Sequence, residues 1–201
     1  NHFVSNFVSK TKIKKGVKAP LNLVHCNKCD LLQLEHSAPQ EIMYKKFYWY
    51  RSGVTHTMKM ALKDIFDQVI DMSILKKNDT ILDIGANDGT LLNFFKKKGY
   101  KTIGCEPAKN LYSQLKKNCD YVINDFWNLN NLKKVITKYK IQKPKLITAI
   151  GMFYDLENPS KFISDAAKSL DQDGLFIAQL MCLDSMIEKN DLGNICHEHL
   201  E

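Results

Sequence analysis

At 201 residues with 44% hydrophobic and 25% charged side chains, the chain carries enough apolar material for a globular core and falls outside the disordered and fibrous classes. No apolar run approaches the ~20 residues that a bilayer-spanning helix needs, and no secretory leader pattern opens the sequence, so a soluble, cytoplasmic protein is expected. The net charge of +7 comes largely from lysine runs such as Lys96-Lys97-Lys98 and Lys116-Lys117. These sit where helices are expected to end and complement the helix dipole, so the charge does not require a nucleic-acid partner.

Residues 1–40 hold a basic stretch, KTKIKKGVKAP, and then LNLVHCNKCDLLQLEH, which reads as two short strands around a Cys-x-x-Cys turn, the form of a zinc knuckle. Six cysteines without a secretory context argue for thiols or metal ligands rather than disulfides. Cys26 and Cys29 would supply half of a tetrahedral zinc site, with His25 and His36 as conceivable additions. The expected zinc is structural and the module partial. Cys105 and Cys119 read instead as small buried hydrophobes.

Residues 41–78 form an aromatic linker, MYKKFYWYRSG, and a helix whose apolar positions Met58, Leu62, Ile65, Phe66, Val69 and Ile70 follow helical spacing. Thr55 or Thr57 is placed to cap it. The aromatic residues either pack between modules or line a site; Tyr48 and Tyr50, with Arg51 beside them, are the candidates for substrate contact.

Residues 79–201 alternate: strands at 80–84, 101–106, 120–124, 145–150 and 174–180, with helices near 88–98, 108–118, 128–138 and 159–170. This rhythm predicts βαβ units. The expected class is α/β, a Rossmann-like, doubly wound, mainly parallel sheet.

The first of these strands runs into ILDIGANDGT. A strand ending in a glycine-rich turn before a helix lets a ligand approach bare backbone N–H groups. Asp83, Gly85, Asn87, Asp88 and Gly89 are therefore the expected cofactor residues of this turn. Glu106 ends the next strand, 21 positions beyond Gly85, where an acid accepts hydrogen bonds from both hydroxyls of a ribose. A phosphate-binding loop fits less well: the turn is not G-x-G-x-x-G, no Gly-Lys-Ser/Thr follows, and Asp88 would repel a pyrophosphate. A cofactor with ribose and adenine but no phosphate, S-adenosylmethionine, fits better. Asp125, after the third strand, is placed to accept from the adenine amino group, with Phe126 available for stacking; a plain loop aspartate is the alternative.

Taken together, PLNLVHCNKCDLLQLEH, MYKKFYWYRSG, DIGANDG, GCEP and ICHEHLE resemble, in order, motifs of the class I S-adenosylmethionine-dependent methyltransferases of the sugar C-methyltransferase type. That family has an N-terminal four-cysteine zinc domain, a Rossmann-like methyltransferase domain and a C-terminal domain. The resemblance implies that the chain is a fragment lacking the first Cys pair, the last strand hairpin and the C-terminal domain. It also implies methylation of a ring carbon beside a ketone in a nucleotide-linked deoxysugar, a small-molecule acceptor. Glu198 and His199 fall on family active-site positions, His199 being the better base because its unperturbed pKa lies near neutrality. Asp155 stands where the sugar enzymes commonly have histidine and Cys196 where they have tyrosine; both are carried as catalytic candidates, Asp155 on condition that burial raises its pKa. His197 is a candidate for substrate contact. The cluster His197-Glu198-His199 also admits packing or a metal, although its spacing differs from H-E-x-x-H and offers no third ligand nearby.

Two rivals remain: an RNA-directed methyltransferase or RNA-binding module, and a non-catalytic scaffold. The aromatic run carries only Lys45, Lys46 and Arg51 as cations, which disfavours RNA. The intact set Asp83, Gly85, Gly89 and Glu106 disfavours a scaffold.

Overall fold

The computed structural model describes residues 8–191 and 193–200. Its centre is a five-stranded parallel sheet made of β3 (Thr80–Ile84), β4 (Lys101–Cys105), β5 (Tyr121–Ile123), β6 (Pro144–Ile150) and β7 (Leu175–Gln179), in the spatial order β5-β4-β3-β6-β7. Ahead of it, β1 (Leu23–His25) and β2 (Leu32–Leu34) pair as an antiparallel hairpin across the Cys-x-x-Cys turn. The helices are α1 (His56–Asp71), α2 (Thr90–Lys97), α3 (Tyr112–Asn118), α4 (Leu129–Tyr139), α5 (Pro159–Ser169) and α6 (Leu183–Glu188).

β3 is buried along its whole length, as expected for the central strand of a parallel sheet covered on both faces. Alternation along it sends Ile81 to a core shared with Leu62, Phe66, Leu92, Phe95 and Leu115, and sends Leu82 and Ile84 to the opposite core with Ile103, Leu132, Ile147 and Phe162. α1 belongs to the first core: Thr55 Oγ1 accepts from the Met58 N–H at 3.3 Å to start it, and Phe66 meets Phe95 edge-on at 5.0 Å. The lysines of the two expected runs lie in the last turns of α2 and α3.

From β3 the chain builds outward through β4 and β5, then returns to lay β6 and β7 on the other side of β3. That reversal opens a crevice at the carboxyl ends of the strands, where open α/β sheets take their ligands. Gly104 permits the sheet to pack closely on α3: a Cβ there would lie 2.6 Å from Leu115 Cδ1.

All five strands and four helices of the expected alternation are present. Two helices begin later than the periodicity predicts. α2 waits until Thr90 because Asn87 and Gly89 take left-handed φ values of 51° and 78°, and α3 waits until Tyr112 because a turn follows Pro107. A π-helical turn at Glu41–Lys45, a 3₁₀ turn at Phe153–Asp155 and α6 were not legible as periodic patterns. Among the described residues no helix is long and apolar enough to cross a membrane.

Candidate active site

A cavity of about 830 Å³ opens at the carboxyl ends of β3, β4 and β6, and its walls come from four parts of the chain. The β3 and β4 ends contribute Gly85, Asn87 and Glu106, the segment after β5 contributes Phe126, Trp127 and Asn128, the linker contributes Gln40, Tyr44, Tyr48, Tyr50 and Ser52, and the far wall carries Asp155, Glu198 and His199.

Glu106 anchors one end. It is 5% exposed, and its two carboxylate oxygens are braced separately: the Asn87 N–H donates to Oε2 at 2.9 Å and the Ala108 N–H to Oε1 at 2.9 Å. Each oxygen keeps a lone pair for a ligand hydroxyl. Burial raises its pKa and the two N–H groups oppose that rise. Gly85, at φ 74°, brings the turn close to Met152, whose Cγ would lie 3.0 Å from a Cβ at that position.

The linker crosses this end as a strap held by two side-chain amides. Asn87 Oδ1 accepts from the Ser52 N–H at 3.0 Å, and Asn87 Nδ2 donates to the Tyr50 carbonyl at 3.1 Å. Asn110, after β4, makes the same kind of two-bond clamp on Tyr48, with both bonds at 2.9 Å. Sequence spacing offered no sign of either clamp, because each joins segments 35 or more residues apart.

The far wall is an acid–base cluster. Asp155 lies beside Tyr44, Glu198 and His199, and burial pushes its pKa up to about 8, with the His199 charge opposing the rise and Glu198 adding to it. Its Oδ1 is shut off from solvent and meets no hydrogen-bond partner among the described residues. The Tyr44 hydroxyl donates to the Glu198 carbonyl at 3.0 Å and the Tyr48 hydroxyl to Glu198 Oε2 at 3.4 Å. Burial raises the pKa of both phenols, so they remain hydrogen-bond donors. His199 Nδ1 lies 2.6 Å from the Asn194 carbonyl; the proton belongs on Nδ1, which leaves the Nε2 lone pair available. The Tyr154 ring stands edge-on to the imidazole at 4.8 Å, and backbone bonds from Leu200 to Tyr154 and from Leu34 to Leu200 fix the segment.

Several residues expected in the site lie elsewhere. Asp83 is buried beneath the turn and accepts from Thr148 Oγ1 at 2.6 Å; burial raises its pKa to about 7. Asp88 caps α2 through Thr90 and accepts from the Gly53 N–H at 2.8 Å, so its charge is spent on the turn rather than turned to a ligand. Gly89 is required for packing, since a Cβ there would lie 2.9 Å from Leu115 Cδ1 and Asn118 Cβ. Asp125 points outward, 3.4 Å from Lys45 Nζ, and its Oδ1 accepts from the Phe126 N–H, which is the plain loop aspartate. His197, 2% exposed, turns to the Ala19 carbonyl at 3.2 Å instead of the cavity.

Cys196 is also buried off the cavity wall, but its Sγ and the ligand atoms of Glu198 and His199 all lie within 4.8 Å of one another. The cluster thus has the third ligand that sequence spacing did not supply. Burial raises the Cys196 thiol pKa, which favours the protonated, non-ligating form.

Cys26 and Cys29 share their turn, and backbone N–H groups of Lys28 and Cys29 lower the Cys26 pKa. The expected additions are engaged otherwise, His25 with Asp30 at 3.3 Å and His36 with Glu35 at 3.6 Å. Two thiols do not complete a tetrahedral zinc set.

A family described as a methyltransferase domain matches residues 54–201. The C-methyltransferase NovU of Streptomyces niveus is 22% identical over 180 residues, which cover 90% of this chain and 42% of that protein. The chain therefore spans less than half the length of this relative. In overall fold the chain is similar to the plantazolicin methyltransferase BpumL in complex with a pentazolic desmethylPZN analogue and SAH, with a TM-score of 0.53 at 16% identity over 67% of this chain and 51% of that one. A second structure of BpumL, in complex with SAH, gives 0.51 at 17% over 65% and 49%. With a parallel sheet in the order β5-β4-β3-β6-β7 and a cavity at its carboxyl edge, the chain belongs to the methyltransferase-domain family.

Proposed function

We propose that the protein is an S-adenosylmethionine-dependent methyltransferase that methylates carbon, the acceptor carbon lying beside a ketone in a nucleotide-linked deoxysugar or related small molecule. The observation that carries this reading is the single cavity that holds a braced, buried Glu106 at one end and Asp155, Glu198 and His199 at the other. The residues fit an adenosyl group: Glu106 for the ribose hydroxyls, Gly85 and Asn87 beside the amino-acid portion, and Phe126 against the base. The C-methyltransferase relative supports carbon as the accepting atom, and the acid-rich far wall suits a neutral ring better than a polyanionic strand.

When bound, adenosylmethionine supplies an electrophilic methyl group on a sulfonium. His199 Nε2 takes the proton from the carbon beside the ketone, its ring held by the Asn194 carbonyl. Asp155, neutral below a pKa of about 8, donates a hydrogen bond to the oxygen on which negative charge develops, while the Tyr44 and Tyr48 O–H groups stay on Glu198. Glu198 keeps both phenols oriented. The strap and the far wall together limit water around the reacting carbon.

The test has two stages. Calorimetry with adenosylhomocysteine should show one site per chain. Incubation with adenosylmethionine and a nucleoside-diphosphate 4-keto-6-deoxysugar carrying deuterium at the carbons beside the ketone should then give a new carbon-bound methyl at one of them and release of that carbon's deuterium to water. Methyl transfer to oxygen or nitrogen would overturn the carbon assignment.

A further inference from the structure

Cys196 is a buried nucleophile for which the methyl-transfer mechanism has no use. It is 9% exposed, and its Sγ, a ring nitrogen of His199 and a carboxylate oxygen of Glu198 all lie within 4.8 Å of one another. Thiolate, imidazole and carboxylate are the ligand types that zinc combines. Bonds of ~2.0–2.3 Å at tetrahedral angles hold zinc ligands roughly 3.3–3.8 Å apart, so closing the widest gap takes about an ångström, which the side-chain torsions of Cys196 and Glu198 supply.

The groups around the three donors suit an ion as well. The backbone N–H groups of Glu198 and His199 both donate to Cys196 Sγ, bonds that favour a sulfur carrying negative charge. The Asn194 carbonyl accepts from His199 Nδ1 at 2.6 Å, the outer partner that orients a ligating imidazole and leaves Nε2 for the metal. The Tyr48 hydroxyl holds Glu198 Oε2 at 3.4 Å. Charge points the same way, because Asp155 stands against the same three groups and crowds a second carboxylate onto this wall. Lys161, which also lines the cavity, is paired with Asp165. Glu198, His199 and Asp155 all line the cavity, which is the ion's way in.

We propose that Cys196, Glu198 and His199 form a zinc site whose filling takes the His199 lone pair and so switches off proton abstraction. The site stands on the geometry of the cluster; its effect on turnover rests on the assignment of His199 as the base. Zinc entry displaces the Cys196 proton to solvent, and the new zinc–sulfur bond sets the ion's charge against the thiolate. Because one nitrogen serves both purposes, the zinc-bound and the catalytic states exclude each other. The Glu106 end takes no part, so cofactor binding survives zinc.

The experiment begins with the full chain carrying Cys26→Ser and Cys29→Ser, which removes the two thiols of the hairpin turn, one half-buried and one exposed, from the metal count. Cobalt(II), a spectroscopic stand-in for zinc, should saturate at one ion per chain with a charge-transfer band from a single thiolate, and zinc should displace it. Adding Cys196→Ser should abolish the band and weaken zinc by at least about tenfold. Failure of cobalt to saturate, or saturation without a thiolate band, overturns the site before any Cys196 variant is made. In the unaltered protein zinc should inhibit methyl transfer, a chelator should restore it, and calorimetry should show adenosylhomocysteine affinity unchanged by zinc; Cys196→Ser should raise the inhibiting zinc concentration by the same factor of at least about ten. Full turnover with zinc bound, or equal zinc sensitivity in a folded Cys196→Ser, overturns the switch. A zinc-free protein that transfers no methyl group overturns the proposed function instead, a result that the cobalt titration tells apart from failure of the site.

Discussion

The two ends of the cavity are built by different means. The Glu106 end comes from loops that directly follow β3 and β4, so consecutive residues of the sheet place it, and backbone N–H groups do the bracing. The far wall is assembled from Gln40–Tyr50, Met152–Asn158 and Asn194–His199, segments that meet only when the whole chain has closed. A site on strand ends is rigid because the sheet is rigid; a site gathered from distant segments depends on each fastening, here the Asn87 and Asn110 clamps and the Tyr44 and Tyr48 bonds to Glu198. The proposed function puts binding at the first end and chemistry at the second, so variants should separate the two.

The strongest separation is expected from His199→Ala, which should lower turnover by about 10²- to 10⁴-fold, the range of a positioned general base, while calorimetry shows adenosylhomocysteine affinity unchanged. A joint loss of both would mean that the ends are not separable. Glu106→Ala should do the reverse, weakening adenosylhomocysteine by about 1.5–3 kcal/mol for lost charge-assisted hydrogen bonds and leaving the far wall intact. Gly104→Val tests the rigidity of the sheet end: its side chain must displace Leu115, at about 1–3 kcal/mol of stability by denaturant unfolding. The subtlest readout is pH. The folded pKa of Asp155, about 8 because of burial, exceeds its ordinary value, so its stabilising contribution is complete at acid pH and is lost as pH rises through about 8. Activity that uses its proton should fall over the same upper range. Asp155→Asn should flatten the stability profile between the two values.

The same contrast explains what the sequence could tell. Alternating strands and helices, the glycine turn and the Gly85-to-Glu106 spacing are local patterns, and the sheet and Glu106 follow from them. Asp88 and Asp125 look like ligand acids in sequence, yet Asp88 caps α2, where the Thr90 N–H and hydroxyl are ready local partners, and Asp125 pairs with Lys45, which the linker brings from far along the chain. Direction was equally hidden at His197: its neighbours Glu198 and His199 face the cavity while it faces Ala19, a matter of loop conformation rather than spacing.

Asn87 joins the Glu106 end to the linker, its backbone braced to Glu106 and its side chain to Tyr50 and Ser52. Free energies of substitutions placed on either side of it should therefore fail to sum, since each perturbation reaches the other through this one residue. A change in the grip at Glu106 should then be felt in the strap, and a change in the strap equally at Glu106.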